Sequence, residues 1–323
     1  MAHEVAAPSA GAATAYDDRF RAHLARLVER HGLTVPEIVL PTARHVLVGR
    51  TRLHLLDWGA SVNPLVVLLH GAGLNAHTWD AVALGLSQRF RCLAVDLRGH
   101  GESEWSAALA YTVALHTDDV LGLLDGISAR RCTIVGHSLG GIVGMSVALT
   151  AQALVSALVL VDVGPAPRDD GVDRVDGNMH GDDTFASVEA AVDAILEAKP
   201  HLDRTLLAWT LEQNLMRRHD GTYTWKYDRR HRTTRDHVDE ILAENRVLAA
   251  RVADIRCPVL LAYGAESDML SRAAIADFVA SAPHARAAEV PGARHAVQSD
   301  NPRELVRLVH ELLTDDEVRS ETA

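Results

Sequence analysis

The chain has 323 residues, 48% hydrophobic and 23% charged, which is ordinary globular composition and enough length to bury a full core. Its formal charge of −11 argues against a nucleic-acid partner, because phosphate binding needs a basic face. No apolar run approaches the ~20 residues that cross a bilayer, so no membrane partner is expected.

The opening residues, MAHEVAAPSAGAATAY, carry neither a basic segment nor a continuous apolar one, so no signal peptide is expected and the protein reads as cytoplasmic. Residues 16–31 read as an amphipathic helix, with Phe20, Leu24, Leu27 and Val28 on one face and Gly32 ending it. That stripe must be buried on the body or on another subunit, and a homodimer or higher homo-oligomer is expected from it. HVLV and TRLHLLDW then suggest a hairpin across Gly49 and Arg50. LVVLLH, RCLAVD, CTIVGH and ALVLVDV read as buried strands, with helices over residues 112–124 and 139–150 between them. Such alternation builds a mostly parallel sheet flanked by helices, an α/β fold. The pattern breaks after Gly164 and resumes with PVLLAYG, a helix at 272–280, the short strand AAEV and a last helix at 303–313. The expected organisation is an N-terminal tail and helix (1–40), one α/β core (41–164 and 252–323) and an inserted, mainly helical cap (165–251). Cys92, Cys132 and Cys257 are far apart, each beside or within an apolar run, and are expected as buried free thiols.

Gly136-His137-Ser138-Leu139-Gly140 joins the CTIV strand to the helix LGGIVGMSVALT. A G-x-S-x-G serine in that context sits on a strained strand-to-helix turn, with small neighbours so that the backbones can cross. A serine hydroxyl is a weak nucleophile until a base takes its proton, and the base needs an orienting acid. The expected chain order is serine, acid, histidine. His295, on a loop after the last short strand, is the expected base. Asp268, just past the PVLLAYG strand, is the expected acid; Asp162 and Glu266 are the competing carboxylates. His70-Gly71-Ala72-Gly73 follows a strand as a glycine-rich turn. The N–H of Ala72, with Gly73 as alternative donor, is expected to pair with that of Leu139 as an oxyanion hole. His70 reads as a hydrogen-bonder that fixes the turn, and residues 96–103 as a structural loop. No H-E-x-x-H or comparable metal spacing occurs, and neither metal nor cofactor is expected.

VLLHGAG, VDLRGHGES, VGHSLGG, YGAESD and GARH, in this order, resemble the α/β-hydrolase superfamily from Val66 through His295. The resemblance implies the α/β-hydrolase fold and hydrolytic chemistry, and says much less about substrate. Serine stands at the position where dehalogenases and epoxide hydrolases of this fold carry aspartate, and the turn reads HGAG where the hormone-sensitive-lipase group has HGGG. The long N-terminal segment, HGAGLNAHTWD and TYTWKYD resemble bacterial zearalenone lactonases, which implies a resorcylic-acid macrolactone as substrate. The cap is expected to set substrate choice, with Met179, Trp209, Leu215, Met216 and Trp225 as pocket candidates, those from Trp209 to Met216 at helical spacing. The sequence thus reads as a serine esterase acting on a small hydrophobic ester or lactone through an acyl-enzyme. The alternatives are a C–C bond hydrolase or cofactor-free peroxidase on the same residues, or a weakly hydrolytic ligand-binding receptor.

Overall fold

The computed structural model describes residues 10–164, 167–180, 184–232, 235–282 and 284–321. Helix α1 (Ala10–His31) is followed by β1 (Thr42–Val48) and β2 (Thr51–Trp58), the expected hairpin, with Gly49 at φ +59° in its turn. Then come β3 (Leu65–Leu69), a one-turn 3₁₀ helix (Ala76–Trp79), α2 (Asp80–Leu86), β4 (Arg91–Val95), α3 (Val113–Gly126), β5 (Cys132–His137), α4 (Leu139–Thr150) and β6 (Val155–Val161). An insert follows, made of α5 (Asp169–His180), α6 (Val188–Ala198), α7 (Arg204–Asn214), β7 (Leu215–Arg217), β8 (Tyr223–Trp225) and α8 (Arg235–Ala249). The chain closes with β9 (Val259–Gly264), α9 (Arg272–Ser281), β10 (Ala285–Val290), α10 (Val297–Asp300) and α11 (Pro302–Glu321). Side-chain oxygens of Thr112, Ser187, Asp203 and Ser271 accept from backbone N–H groups in the first turns of α3, α6, α7 and α9, which fixes where those helices start.

The eight strands run β1-β2-β4-β3-β5-β6-β9-β10, antiparallel on both sides of β2 and parallel from β4 onward. This is the mostly parallel sheet expected from the strand–helix alternation. Successive side chains of β3 point to opposite faces and both faces are covered. Val66 and Leu68 belong to one apolar cluster with Trp58 and Trp79, whereas Val67 and Leu69 belong to the other with Ile134 and Val143. That double burial explains why the central strands read as unbroken apolar runs. The parallel pairing puts the C-terminal ends of β3, β5, β6, β9 and β10 on one rim, where residues 70, 138, 162 and 265 onward leave the sheet.

The apolar stripe of α1 is covered by the chain itself: Phe20 and Leu24 are buried in the Trp58–Trp79 cluster. The ring of Phe20 stacks on Trp209 of α7 at 4.9 Å, and that of His23 at 5.0 Å. The insert has a small core of its own, Ala191, Val192, Leu211 and Leu215. Leu215 and Met216 do not continue the helix of Trp209. Helix α7 ends at Asn214 and both residues lie in β7, which pairs with β8 inside the TYTWKYD segment. Among the described residues no helix is long and apolar enough to cross a membrane.

Candidate active site

Ser138 stands between the last residue of β5 and the first of α4, at φ +51° and ψ −118°. A left-handed φ is costly for any residue with a side chain and persists only where the surroundings enforce it. Here the enforcement is visible. A Cβ on Gly136 would collide with the Gly140 carbonyl, and one on Gly140 with the carbonyl of Leu69. The two glycines let the entering strand and the leaving helix cross, and the turn between them holds the serine up on the sheet's rim. Leu139 is the first residue of α4, so its N–H has no partner one turn back in the helix.

The turn after β3 stands beside it. Leu74 N–H donates to the Gly71 carbonyl (3.2 Å), and Gly73 takes φ +73° between them. Gly71 lies so near Ser138 that a Cβ there would sit 3.2 Å from the serine Cβ. His70 fixes this turn as expected: its Nδ1–H donates to the Gly71 carbonyl (2.8 Å), and its Nε2 accepts from Leu97 N–H (3.0 Å). The loop 96–103 is a brace. Asp96, buried, accepts from the amides of Ala76 (2.6 Å) and Glu102 (2.8 Å) and pairs with His54 (2.8 Å).

His295 is buried on the loop between β10 and α10, and its ring Nδ1–H donates to a carboxylate oxygen of Asp162 at 2.8 Å. This tautomer leaves Nε2 with a lone pair. The partner carboxylate therefore differs from the sequence expectation: it is Asp162, not Asp268. The reason lies in sheet order. β6 and β9 are neighbours with Val161 opposite Ala262, so residues just past both strands share one spot on the rim. Asp162 takes φ +52° there and is fully buried. It accepts from Gly264 N–H (3.0 Å), from the Ser267 hydroxyl (2.6 Å) and from His295. The β9 loop thus offers Ser267 to the site, while the backbone carbonyl of Asp268 lies against Gly171 of the insert. Glu266 is exposed and pairs with Arg294 at 3.7 Å. Sequence reasoning weighed Asp162 but had no signal that two strands 100 residues apart are adjacent.

Of the five pocket candidates, Trp209 is packed against α1 and borders a cavity of about 390 Å³ between α1, α7 and the loop before α2, one that neither Ser138 nor His295 lines. Leu215 belongs to the insert's own core. Trp225 meets Phe185 edge-on at 5.7 Å and Tyr227 face-on at 6.3 Å. Met216 is half-buried on β7. The Met179 side chain lies outside the described residues. Leu139, Val163, Val172, Met269 and Leu270 all belong to the core cluster on the Val67 and Leu69 face of the sheet, and Val163 lies directly on Gly141. Among the described residues no group of three or more metal-ligating side chains stands together.

Comparison with known proteins agrees with this architecture. Residues 66–308 match the family described as the alpha/beta hydrolase family. The esterase Rv0045c of Mycobacterium tuberculosis is 34% identical over 297 residues, covering 90% of this chain and 94% of that protein. Its crystal structure superposes with a TM-score of 0.73 over 92% of this chain and 98% of that one. The 3-hydroxybutyrate-oligomer hydrolase of Cupriavidus necator is 29% identical over 80% of this chain and 91% of its own length. The 2-(acetamidomethylene)succinate hydrolase of Mesorhizobium japonicum is 28% identical over 80% of this chain and 91% of its own.

Proposed function

This chain belongs to the alpha/beta hydrolase family as a carboxylic-ester hydrolase, and we propose that it cleaves hydrophobic esters or lactones through an acyl-enzyme on Ser138. The observation that carries the mechanism is the 2.8 Å hydrogen bond from His295 to a fully buried carboxylate, on the same rim as a serine held at φ +51°. In this reading Ser138 Oγ attacks the ester carbonyl carbon while its proton passes to His295 Nε2. Asp162 holds the ring in the required tautomer and stabilises the imidazolium that forms. The carbonyl oxygen becomes an oxyanion received by the N–H groups of Ala72 and Leu139, with the dipole of α4 behind it. Gly73 is assigned to the turn, since its left-handed φ is what closes it. The C–O bond then breaks and His295 gives its proton to the leaving alkoxide, which in a lactone stays tethered to the acyl group. Water, deprotonated by His295, attacks the acyl-enzyme and releases the acid.

The preference for an apolar substrate rests on the apolar residues next to the serine turn: Leu139 after it, Ala72 after Gly71, and Val163, which lies on Gly141. The insert is read as the cap over that site, with Trp225 and Met216 the remaining pocket candidates. A resorcylic-acid macrolactone such as zearalenone falls within the proposed class of hydrophobic lactone. A second reading, hydrolysis of a non-ester bond on the same residues, is favoured by the likeness to the 2-(acetamidomethylene)succinate hydrolase.

The test is direct. A fluorophosphonate should add to Ser138, seen as a mass shift on its peptide, and Ser138→Ala should abolish both labelling and p-nitrophenyl butyrate turnover. Residual catalysis of about 10³–10⁴ over water would remain from binding and the oxyanion hole. A Ser138→Ala protein with wild-type turnover removes the serine from the mechanism. A panel of lactones, linear esters and amides scored by product mass separates the two readings.

A further inference from the structure

We infer that His137, the residue before the nucleophile, is a positioning residue that holds the base His295 in place by its backbone. The inference rests on the acyl-enzyme reading above. His137 ends β5 and is 3% exposed. Its Nε2 lies 2.9 Å from the backbone carbonyl of His295, and the two rings face each other at 4.6 Å and 48°. A carbonyl only accepts, so the proton of the neutral His137 ring is on Nε2 and Nδ1 keeps its lone pair. The acceptor side is occupied consistently. The amide Nε2 of Gln298, itself fully buried on α10, stands 3.4 Å from His137 Nδ1 and 3.2 Å from Thr78 Oγ1. The same Nδ1 edge packs on Gly71, where a Cβ would approach to 2.7 Å.

One ring therefore touches three of the loops that the chemistry needs. It abuts the turn of Ala72, its residue directly precedes Ser138, and its Nε2–H donates to the carbonyl of the residue whose imidazole must take the serine's proton. The neighbours of His295 are held separately, Ala293 by Glu266 N–H (2.9 Å) and Arg294 by the carboxylate of Asp300 (2.8 Å). Asp162 fixes the His295 ring at Nδ1 and His137 fixes its peptide, so together they set where Nε2 stands. Burial and the neighbouring His295 both push His137 well below the ordinary histidine range, so it stays neutral and adds no charge against the imidazolium.

The substitutions that test this keep the volume and change the donor. His137→Phe retains a ring and loses the hydrogen bond, whereas His137→Gln places an amide N–H near the position of Nε2. Misplacing a catalytic group by about 1 Å costs about 10²-fold. His137→Phe should therefore lose about that much in kcat on p-nitrophenyl butyrate, with KM little changed and a parallel fall in the rate of fluorophosphonate labelling. The downfield proton resonance of the His295–Asp162 hydrogen bond should broaden or shift. His137→Gln should restore most of the rate and the resonance. Gln298→Met leaves His137 in place and removes its partner, and should give a smaller loss in the same direction even if His137→Phe does not fold. A purely structural role would lower the melting temperature and leave the kcat, labelling rate and resonance of the folded protein unmoved. That result overturns the inference, and so does a His137→Gln protein as impaired as His137→Phe. Wild-type protein that neither labels nor turns over any ester overturns the acyl-enzyme reading itself, and this inference falls with it.

Discussion

Two aspartates one strand apart present the same chemistry to a reader of the sequence and differ entirely in the fold. Asp162 has three donors on its carboxylate and no exposure, whereas Asp268 makes no hydrogen bond to His295 and sets its backbone carbonyl against Gly171 of the insert. Asp162→Asn should fold and lose up to about 10⁴ in kcat, because an amide cannot hold the Nδ1–H tautomer of His295. Asp268→Asn should retain wild-type turnover within a few-fold, and the comparison is read by steady-state kinetics on both purified variants. An Asp268→Asn enzyme that proves the deader of the two while both are folded would reverse the assignment. The elbow makes a second, structural demand. In Gly140→Ala the new methyl meets the Leu69 carbonyl, and because that neighbour is backbone, it cannot swing away. This variant should be recovered poorly or melt several degrees lower, and calorimetry reads it.

At the scale of elements, α1 joins the body to the insert. Phe20 and Leu24 are buried against Trp58 and Trp79, while Arg26 pairs with Asp203 at 2.6 Å and Arg19 with Glu212, both on or beside α7. Truncating a buried phenylalanine costs about 3–5 kcal/mol, so Phe20→Ala should lower the melting temperature plainly. The expectation of a homo-oligomer rests on the same stripe, which the chain covers by itself. Light scattering of Phe20→Ala beside wild type would show whether an assembly depends on it. The helix also carries an acid-sensitive contact. Burial, then the nearby His77, push His23 down to about 3, so the folded protein keeps it neutral where the unfolded chain would protonate it. Above the ordinary histidine value of about 6.5 both states are neutral and nothing is lost; as the pH falls from there toward 3 the unfolded chain binds the proton and the fold loses stability progressively. Replacing His23 by Phe should flatten the fall of melting temperature between pH 6.5 and 4, and an unchanged slope would remove His23 from the account.

Over the whole molecule, a sheet covered on both faces leaves its strand ends as the place where buried polar groups gather. Asp96 shows the energetic side of this. Burial alone would raise its pKa, and the hydrogen bond and charge of His54, with the Glu102 amide, outweigh burial and bring it down to about 2. A carboxylate so depressed contributes stability above its unfolded value of about 3.9, and that contribution disappears as the pH falls toward 2. Asp96→Asn should therefore be less stable at neutral pH and lose less on acidification, which denaturant titrations at pH 7 and pH 3 would read. The same loop meets the insert through Lys226 and Glu102 at 2.5 Å and Asp228 N–H on the Gly99 carbonyl at 2.8 Å.

The sequence by itself determined the strand–helix alternation, the strained turn at Ser138 and the identity of Ser138 and His295 as candidates. These are local features: apolar period, glycine spacing and the need of a serine for a base leave their mark within a few residues. It also determined that the HGAG turn follows a strand and that His70 fixes it, because each demand is met by adjacent residues. What only the tertiary structure decided involves parts of the chain far apart. Which carboxylate reaches His295 depends on β6 and β9 lying side by side with Val161 opposite Ala262, a register that no short window contains. The place of Trp209 depends on α1, nearly 200 residues earlier, packing over it; its size and apolarity suit a pocket wall and a core position equally well. The contacts of His137 with the His295 carbonyl, Gln298 and Gly71 likewise arise only when three strand ends meet on one rim. Composition and period act on nearest neighbours, and the partner of a buried polar group is set by sheet order.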